Sequence, residues 1–236
     1  MNIALKYLKM FTFQNIDFYC ERLSSDFWAE PFNAISNFSF ILSSIILWIQ
    51  LRRIEIKNNR IQIAIVLIFL IGIGSFLFHT VADDLTYYFD VVPIFSFQIF
   101  ILHEILKSIF QSNVYARFLQ ISVFIFSTLV LSRKEYLTLL NGSLGYLPSV
   151  AFLLYLSIQS YRYKKIILTY FLKTTGIFVV SLLFRSIDMY FCNLNPHGFH
   201  MFWHILNALV LYNLVQILIV NEKLNLNESK SSRLSQ

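Results

Sequence analysis

Two pairs of polar residues interrupt the most apolar parts of this chain. Ser75 and His79 stand four apart in GIGSFLFHT (72–80), and His200 and His204 stand four apart in HMFWHILNA (200–208). Residues at i and i+4 share one face of a helix. Two histidines so spaced can hold one metal ion from a single helix, and His79 can supply a third imidazole from another. Three neutral imidazoles with an open fourth position are the ligand set of a catalytic-type zinc site. Asp90 completes the group; taken alone it could cap a helix or pair with a cation. Ionisable groups inside a membrane are costly and are read as functional by default.

The elements that must position these groups are membrane helices. Of the 236 residues 57% are hydrophobic, 17% aromatic and only 14% charged. The apolar residues fall into blocks of about 20, the length that crosses a bilayer core. They read as seven spans, roughly 33–51, 61–80, 86–106, 114–131, 136–157, 167–187 and 199–220. The expected fold is therefore all-α, a seven-transmembrane helix bundle. Residues 1–220 form a single integral-membrane domain with 1–32 as an outer N-terminal cap segment, and 221–236, rich in Asn, Ser and Lys, is expected to be a disordered cytoplasmic tail. The fifth span is the least regular, because Asn141, Gly142, Gly145 and Pro148 interrupt it; neighbours can rescue the backbone groups so freed. Met1 to Phe13 lacks the long apolar core and cleavage site of a secretory signal, so none is expected.

A net charge of +6 and a pI near 9.3 would hint at nucleic acid in a soluble protein. In a membrane bundle positive residues mark the cytoplasmic side instead. Arg52, Arg53, Lys57 and Arg60 share one side with Lys107, Arg117, Arg162, Lys164, Lys165, Lys223, Lys230 and Arg233. Asp17, Glu21, Asp26, Glu30, Asp83 and Asp84 lie on the other. The N-terminus is thus expected outside and the C-terminus in the cytoplasm. On that frame Ser75, His79, Asp90, His200 and His204 come from three helices yet share one depth, the outer third of the membrane. His103, beside Glu104 at the inner end, reads as structural, and His197 as solvated in an outer loop.

The chain resembles the alkaline ceramidase family of seven-span membrane amidases, and more distantly the superfamily that includes adiponectin-type receptors. The likeness covers most of the chain. It is carried by YCER (19–22), WAEPFNAISNFSF (28–40), GIGSFLFHT (72–80), DVVPI (90–94), FRSID (184–188) and HMFWHILNA (200–208), and it looks closest to the bacterial branch. The resemblance implies zinc bound by His79, His200 and His204, Asp90 as general base and Ser75 as oxyanion donor. It implies a ceramide-like lipid substrate, entering from the bilayer and cleaved to a sphingoid base and a fatty acid. In a bacterium the protein would lie in the inner membrane with its site near the periplasmic face. Neither nucleic acid nor a protein partner is implied. The same chemistry could serve another lipid amide or ester. A non-enzymatic seven-span receptor with a structural zinc is the other reading, although such a site needs neither Asp90 nor Ser75.

In eukaryotic members of the family a segment comparable to 17–30 binds calcium. Asp17, Glu21 and Glu30 are the candidate ligands here, since carboxylates suit a hard cation. The spacing departs from that pattern and Arg22 adds a positive charge, so a hydrogen-bonded cap over the bundle mouth is the competing expectation. The only two cysteines, Cys20 and Cys192, both fall outside, where disulfides persist, so a Cys20–Cys192 bridge is expected, the alternative being two free thiols. Arg185 and Asp188, three apart, are expected to form an ion pair on a helix surface. Trp28 and Trp203 are expected at the outer interface, Trp203 with the alternative of lining the pocket. A reporter fused after Gln236 should read out as cytoplasmic; activity of a reporter that works only outside would reverse the orientation.

Overall fold

A computed structural model describes residues 18–136, 139–162 and 165–234. Asp17, expected as a cation ligand, lies outside them. The helices are α1 (Pro31–Ser36), α2 (Phe38–Arg53), α3 (Asn59–Val81), α4 (Asp84–Ser108), α5 (Val114–Leu131), α6 (Leu147–Ser160), α7 (Lys165–Ile187) and α8 (His200–Leu234). Together with short 3-10 turns they make seven stretches long and apolar enough to cross a membrane. The first joins α1 and α2 across Asn37, and the fifth runs from Leu139 to Ser160. In hydrocarbon, helices satisfy their own backbone groups, which is why so apolar a chain resolves into them.

Polar residues set the helix ends. Asn58 accepts the N–H groups of Arg60 and Ile61 at the start of α3. Asp83 and Thr86 form a reciprocal capping box at the start of α4, and Asn113 accepts from Ala116 at the start of α5. These caps lie just beyond the apolar blocks, so α3 and α4 run longer than their apolar blocks. The irregular fifth stretch is irregular in fact. Leu140, Asn141 and Gly142 have positive φ, and the regular helix begins only at Leu147, with Pro148 in its first turn. The segment 221–236, expected to be disordered, instead continues α8 as far as Leu234. Its Leu, Glu and Lys residues are good helix formers, and the Asn221 amide anchors it to the Ser108 carbonyl.

The most extensive helix packing is α3 against α4, then α7 against α8. Large apolar side chains such as Phe118, Leu119, Phe126 and Ile158 remain exposed, as a lipid-facing surface requires. At the end away from the histidines, the bundle is crosslinked by a Gln50–Gln216 amide pair and by Arg60 against Glu104 at 3.5 Å. His103 joins Glu104 at 3.8 Å there, a structural contact.

One residue fixes the α3–α4 crossing. A Cβ on Gly74 would stand 1.9 Å from the Phe89 carbonyl oxygen and 3.3 Å from the Asp90 nitrogen. Only glycine lets the two backbones meet, and they meet between Ser75 and Asp90. Gly74→Ala is expected to destabilise the protein by about 1–3 kcal/mol through overpacking and to lower its melting temperature in detergent. Gly176→Ala, within α7 and with nothing within 4 Å of its Cβ, serves as the control and should leave the melting temperature unchanged or raise it.

Candidate metal centre and active site

His79 on α3 and His200 and His204 on α8 are all buried, and one donor atom from each lies within 4.8 Å of the others. Among the described residues they form the single cluster of three or more metal-ligating groups. Each ring is held by a neighbour outside the cluster. The Nδ1 of His79 lies 2.6 Å from Glu30 Oε2. The Nδ1 of His204 lies 2.7 Å from the Ser36 hydroxyl, whose own proton goes to the Asn33 carbonyl. Ser36 must then accept, so the network assigns the proton to Nδ1 of His204. The Glu30 carboxylate likewise assigns it to Nδ1 of His79. In both rings Nε2 keeps the lone pair a metal needs, the outer-sphere pattern common to metal-binding histidines. His200 is held differently: the Tyr19 ring stacks on it at 3.7 Å and 20°, and its Nδ1 has no hydrogen-bond partner. A set of three imidazole nitrogens in a tight, buried group fits zinc.

Ser75 and Asp90 open on the same space. A cavity of about 490 Å³ is lined by Ser75, Asp90, His200 and His204 at one end and by apolar side chains such as Phe97, Leu102, Leu153 and Leu214 beyond. Asp90 Oδ1 is buried and has no partner. Trp203, buried, lines this cavity rather than an interface, while Trp28 is exposed.

The N-terminal segment closes the site. Glu21 accepts the Phe32 and Asn33 N–H groups at 2.7 and 2.8 Å, capping α1. Burial lifts the Glu21 carboxyl above its ordinary range against those two bonds. Burial acts on Glu30 in the same sense, but the His79 imidazole, the Asn33 amide and the Arg22 guanidinium outweigh it and hold that carboxyl below the ordinary range. Arg22, itself buried, reaches Glu30 at 2.5 Å and donates to the His79 carbonyl at 3.0 Å. The carboxylates of Glu21 and Glu30, both expected as calcium ligands, thus spend their oxygens on protein donors, and the hydrogen-bonded cap is what the described residues form.

Cys20 and Cys192 are joined by a disulfide with their Cα atoms 5.1 Å apart. Asp188 beside it corrects an expectation. It is fully buried and does not pair with Arg185; its carboxylate accepts the N–H groups of Cys20, Phe199 and His200 at 3.1, 2.6 and 3.0 Å. One side chain therefore ties the cap to the first turn of the His200 helix. Gly198 is required there, with φ of +64° and a virtual Cβ only 2.2 Å from Asp188 Oδ1. Arg185 instead donates to the Tyr19 hydroxyl at 3.0 Å. Sequence reasoning misses Tyr19, Ser36 and Gly74 as site residues, and reads Glu30 as a cation ligand rather than the partner of His79. Local spacing carries no signal for contacts such as Ser36–His204, 168 residues apart.

The protein-family model described as Ceramidase matches residues 15–235. No curated protein matches the chain.

Glu30→Gln is expected to weaken metal binding about 10–100-fold, measured by competition with a chelator. Calcium is expected to leave the melting temperature unchanged, because Arg22 already supplies the cap's positive charge; a rise on adding calcium would contradict that account.

Proposed function

The chain belongs to the ceramidase family, and from that premise we propose that it is a zinc-dependent intramembrane amidase that hydrolyses the N-acyl bond of ceramide-like lipids. One observation carries the reading. Three buried imidazoles meet, and two of them, with Ser75 and the unpartnered oxygen of Asp90, line one end of a mainly apolar cavity. That end suits an amide and the apolar reach suits an acyl chain, which a lipid can bring in sideways from the bilayer.

A zinc ion held by His79, His200 and His204 would lower the pKa of a bound water to about 7 and polarise the amide carbonyl. The chain's own groups supply the rest. Asp90 takes the proton of the attacking water and passes it to the amide nitrogen, so that the C–N bond breaks to a fatty acid and a free amine. Its Oδ1 has no protein donor competing for it. Ser75, one helical turn from His79, donates to the carbonyl oxygen as charge builds there. Glu30, Ser36 and Tyr19 hold the three rings in position, and the Gly74 crossing holds Ser75 against Asp90.

The site end of the bundle is proposed to face the outer side of the membrane, the periplasmic side in a bacterium. The disulfide supports this, since Cys20–Cys192 sits at that end and bridges persist in oxidising compartments. The charge asymmetry of the loops agrees.

The test is a lipid-amidase assay on purified protein with short- and long-chain N-acyl sphingosines, run before and after chelation and with zinc restored. Activity should vanish on chelation and return with zinc. His79→Ala, His200→Ala and His204→Ala should each remove both metal and activity. Ser75→Ala should keep its metal and lose about 10²–10³-fold in kcat, and Asp90→Asn should keep its metal and lose most activity. Hydrolysis by a metal-free variant would overturn the mechanism; hydrolysis of lipid esters but not amides would overturn the substrate class.

A further inference from the structure

Arg185 is a cation with no carboxylate in direct contact, although Asp90 lines the same cavity. Its guanidinium faces the cavity that Ser75, Asp90 and His200 line. Among the described residues no carboxylate lies within ion-pair distance of it. The Asp188 carboxylate three residues on is spent on backbone N–H groups. One nitrogen donates to the Tyr19 hydroxyl, while Nε is buried with no partner. The charge rests against three aromatic rings, those of Tyr19, Tyr146 and Trp203, at 5.7, 5.5 and 5.3 Å from the guanidinium carbon. Such faces stabilise a cation but accept no hydrogen bonds in the plane of the fork. Arginine has five donors in a rigid plane that matches a two-oxygen anion, and here one of them goes to Tyr19 while the side chain lines the cavity.

We propose that Arg185, steadied by Tyr19, is a binding subsite for the carboxylate of a free fatty acid. The location favours that anion over a charged headgroup. Tyr19 touches both groups at once, stacking on His200 and holding Arg185 through its hydroxyl. The subsite is therefore one ring away from the imidazole cluster, and the apolar reach of the same cavity is there for the chain. The amidase reading supplies the source: hydrolysis turns a neutral amide into a carboxylate inside this cavity. A neutral amide cannot use a guanidinium as its ionised product can, so the product is held more tightly than the substrate and inhibits turnover. The inference rests on that reading for the origin of the acid, not for its binding.

The test is direct binding to the purified full chain at alkaline pH, read by the fluorescence of Trp203 in a background where Trp28 and Trp48 are Phe. The probes are a sixteen-carbon fatty acid, the alcohol of the same length and the alkyl phosphate of the same length. The acid should bind at least about tenfold more tightly than the alcohol, the equivalent of one charge-assisted contact. Arg185→Gln should erase that preference and leave alcohol binding as it was; Tyr19→Phe, which removes only the hydroxyl, should reduce it. Equal binding of acid and alcohol by the unmutated site overturns the proposal, whatever the variants do. A preference for the alkyl phosphate over the acid overturns it in favour of a headgroup site. Acid selectivity in a protein that hydrolyses no amide would sink the amidase reading alone, and ceramide hydrolysis without acid selectivity would sink this inference alone.

Discussion

A buried imidazole has two nitrogens to satisfy, and the architecture of this bundle follows from satisfying them in three rings at once. An apolar interior penalises any polar atom left without a partner. The His79 and His204 rings settle one nitrogen each on Glu30 and Ser36, which leaves the other free to face its fellows. The His200 ring is fixed by stacking on Tyr19 instead. All three supports come from residues 19–36, so the segment before α2 is part of the centre rather than a lid over it. An Arg22 guanidinium buried between Glu30 and the His79 backbone then keeps the uncompensated charge of that segment low. A buried pair of this kind contributes little net stability; its evident use here is to hold Glu30 in one orientation.

Two further constraints place the rest of the chemistry. The Gly74 crossing brings α3 and α4 into backbone contact where Ser75 and Asp90 lie. At the start of α8, the Asp188 carboxylate gathers N–H groups from the cap and from the first turn of the helix that carries His200. The disulfide runs alongside those bonds, so the cap is attached covalently and through hydrogen bonds at the same place. Cap, crossing and helix start thus form one connected support, built at one end of a bundle whose other end is held by amide and ion-pair crosslinks.

The helices and the imidazole cluster are legible in the sequence for different reasons. Span positions follow from block lengths of apolar residues, and the structure moves their ends by a few residues because caps such as Asn58 and Asp83 lie outside the apolar blocks. His79, His200 and His204 can be grouped because helical spacing puts His200 and His204 on one face and the alternation of spans puts all three at one depth. What spacing cannot convey is which distant group settles the second nitrogen of each ring. Glu30 and Arg22 are visible as charges, but an acidic segment reads equally as a cation site or as a hydrogen-bonded cap until its partners are known. Asp188 and Arg185 look like a helix-surface pair three residues apart, yet they part company, Asp188 turning to backbone donors and Arg185 to an aromatic cradle at the cavity wall. Polar composition alone suggests a disordered tail, but its Leu, Glu and Lys residues also continue a helix.

Three nitrogen donors from α3 and α8 are proposed to share one zinc ion. X-ray absorption at the zinc edge, on protein purified without chelators, tests it most directly. The account predicts one zinc per chain with three nitrogen donors at about 2.0–2.1 Å and one oxygen. A site without zinc, or zinc surrounded only by oxygen, would contradict it.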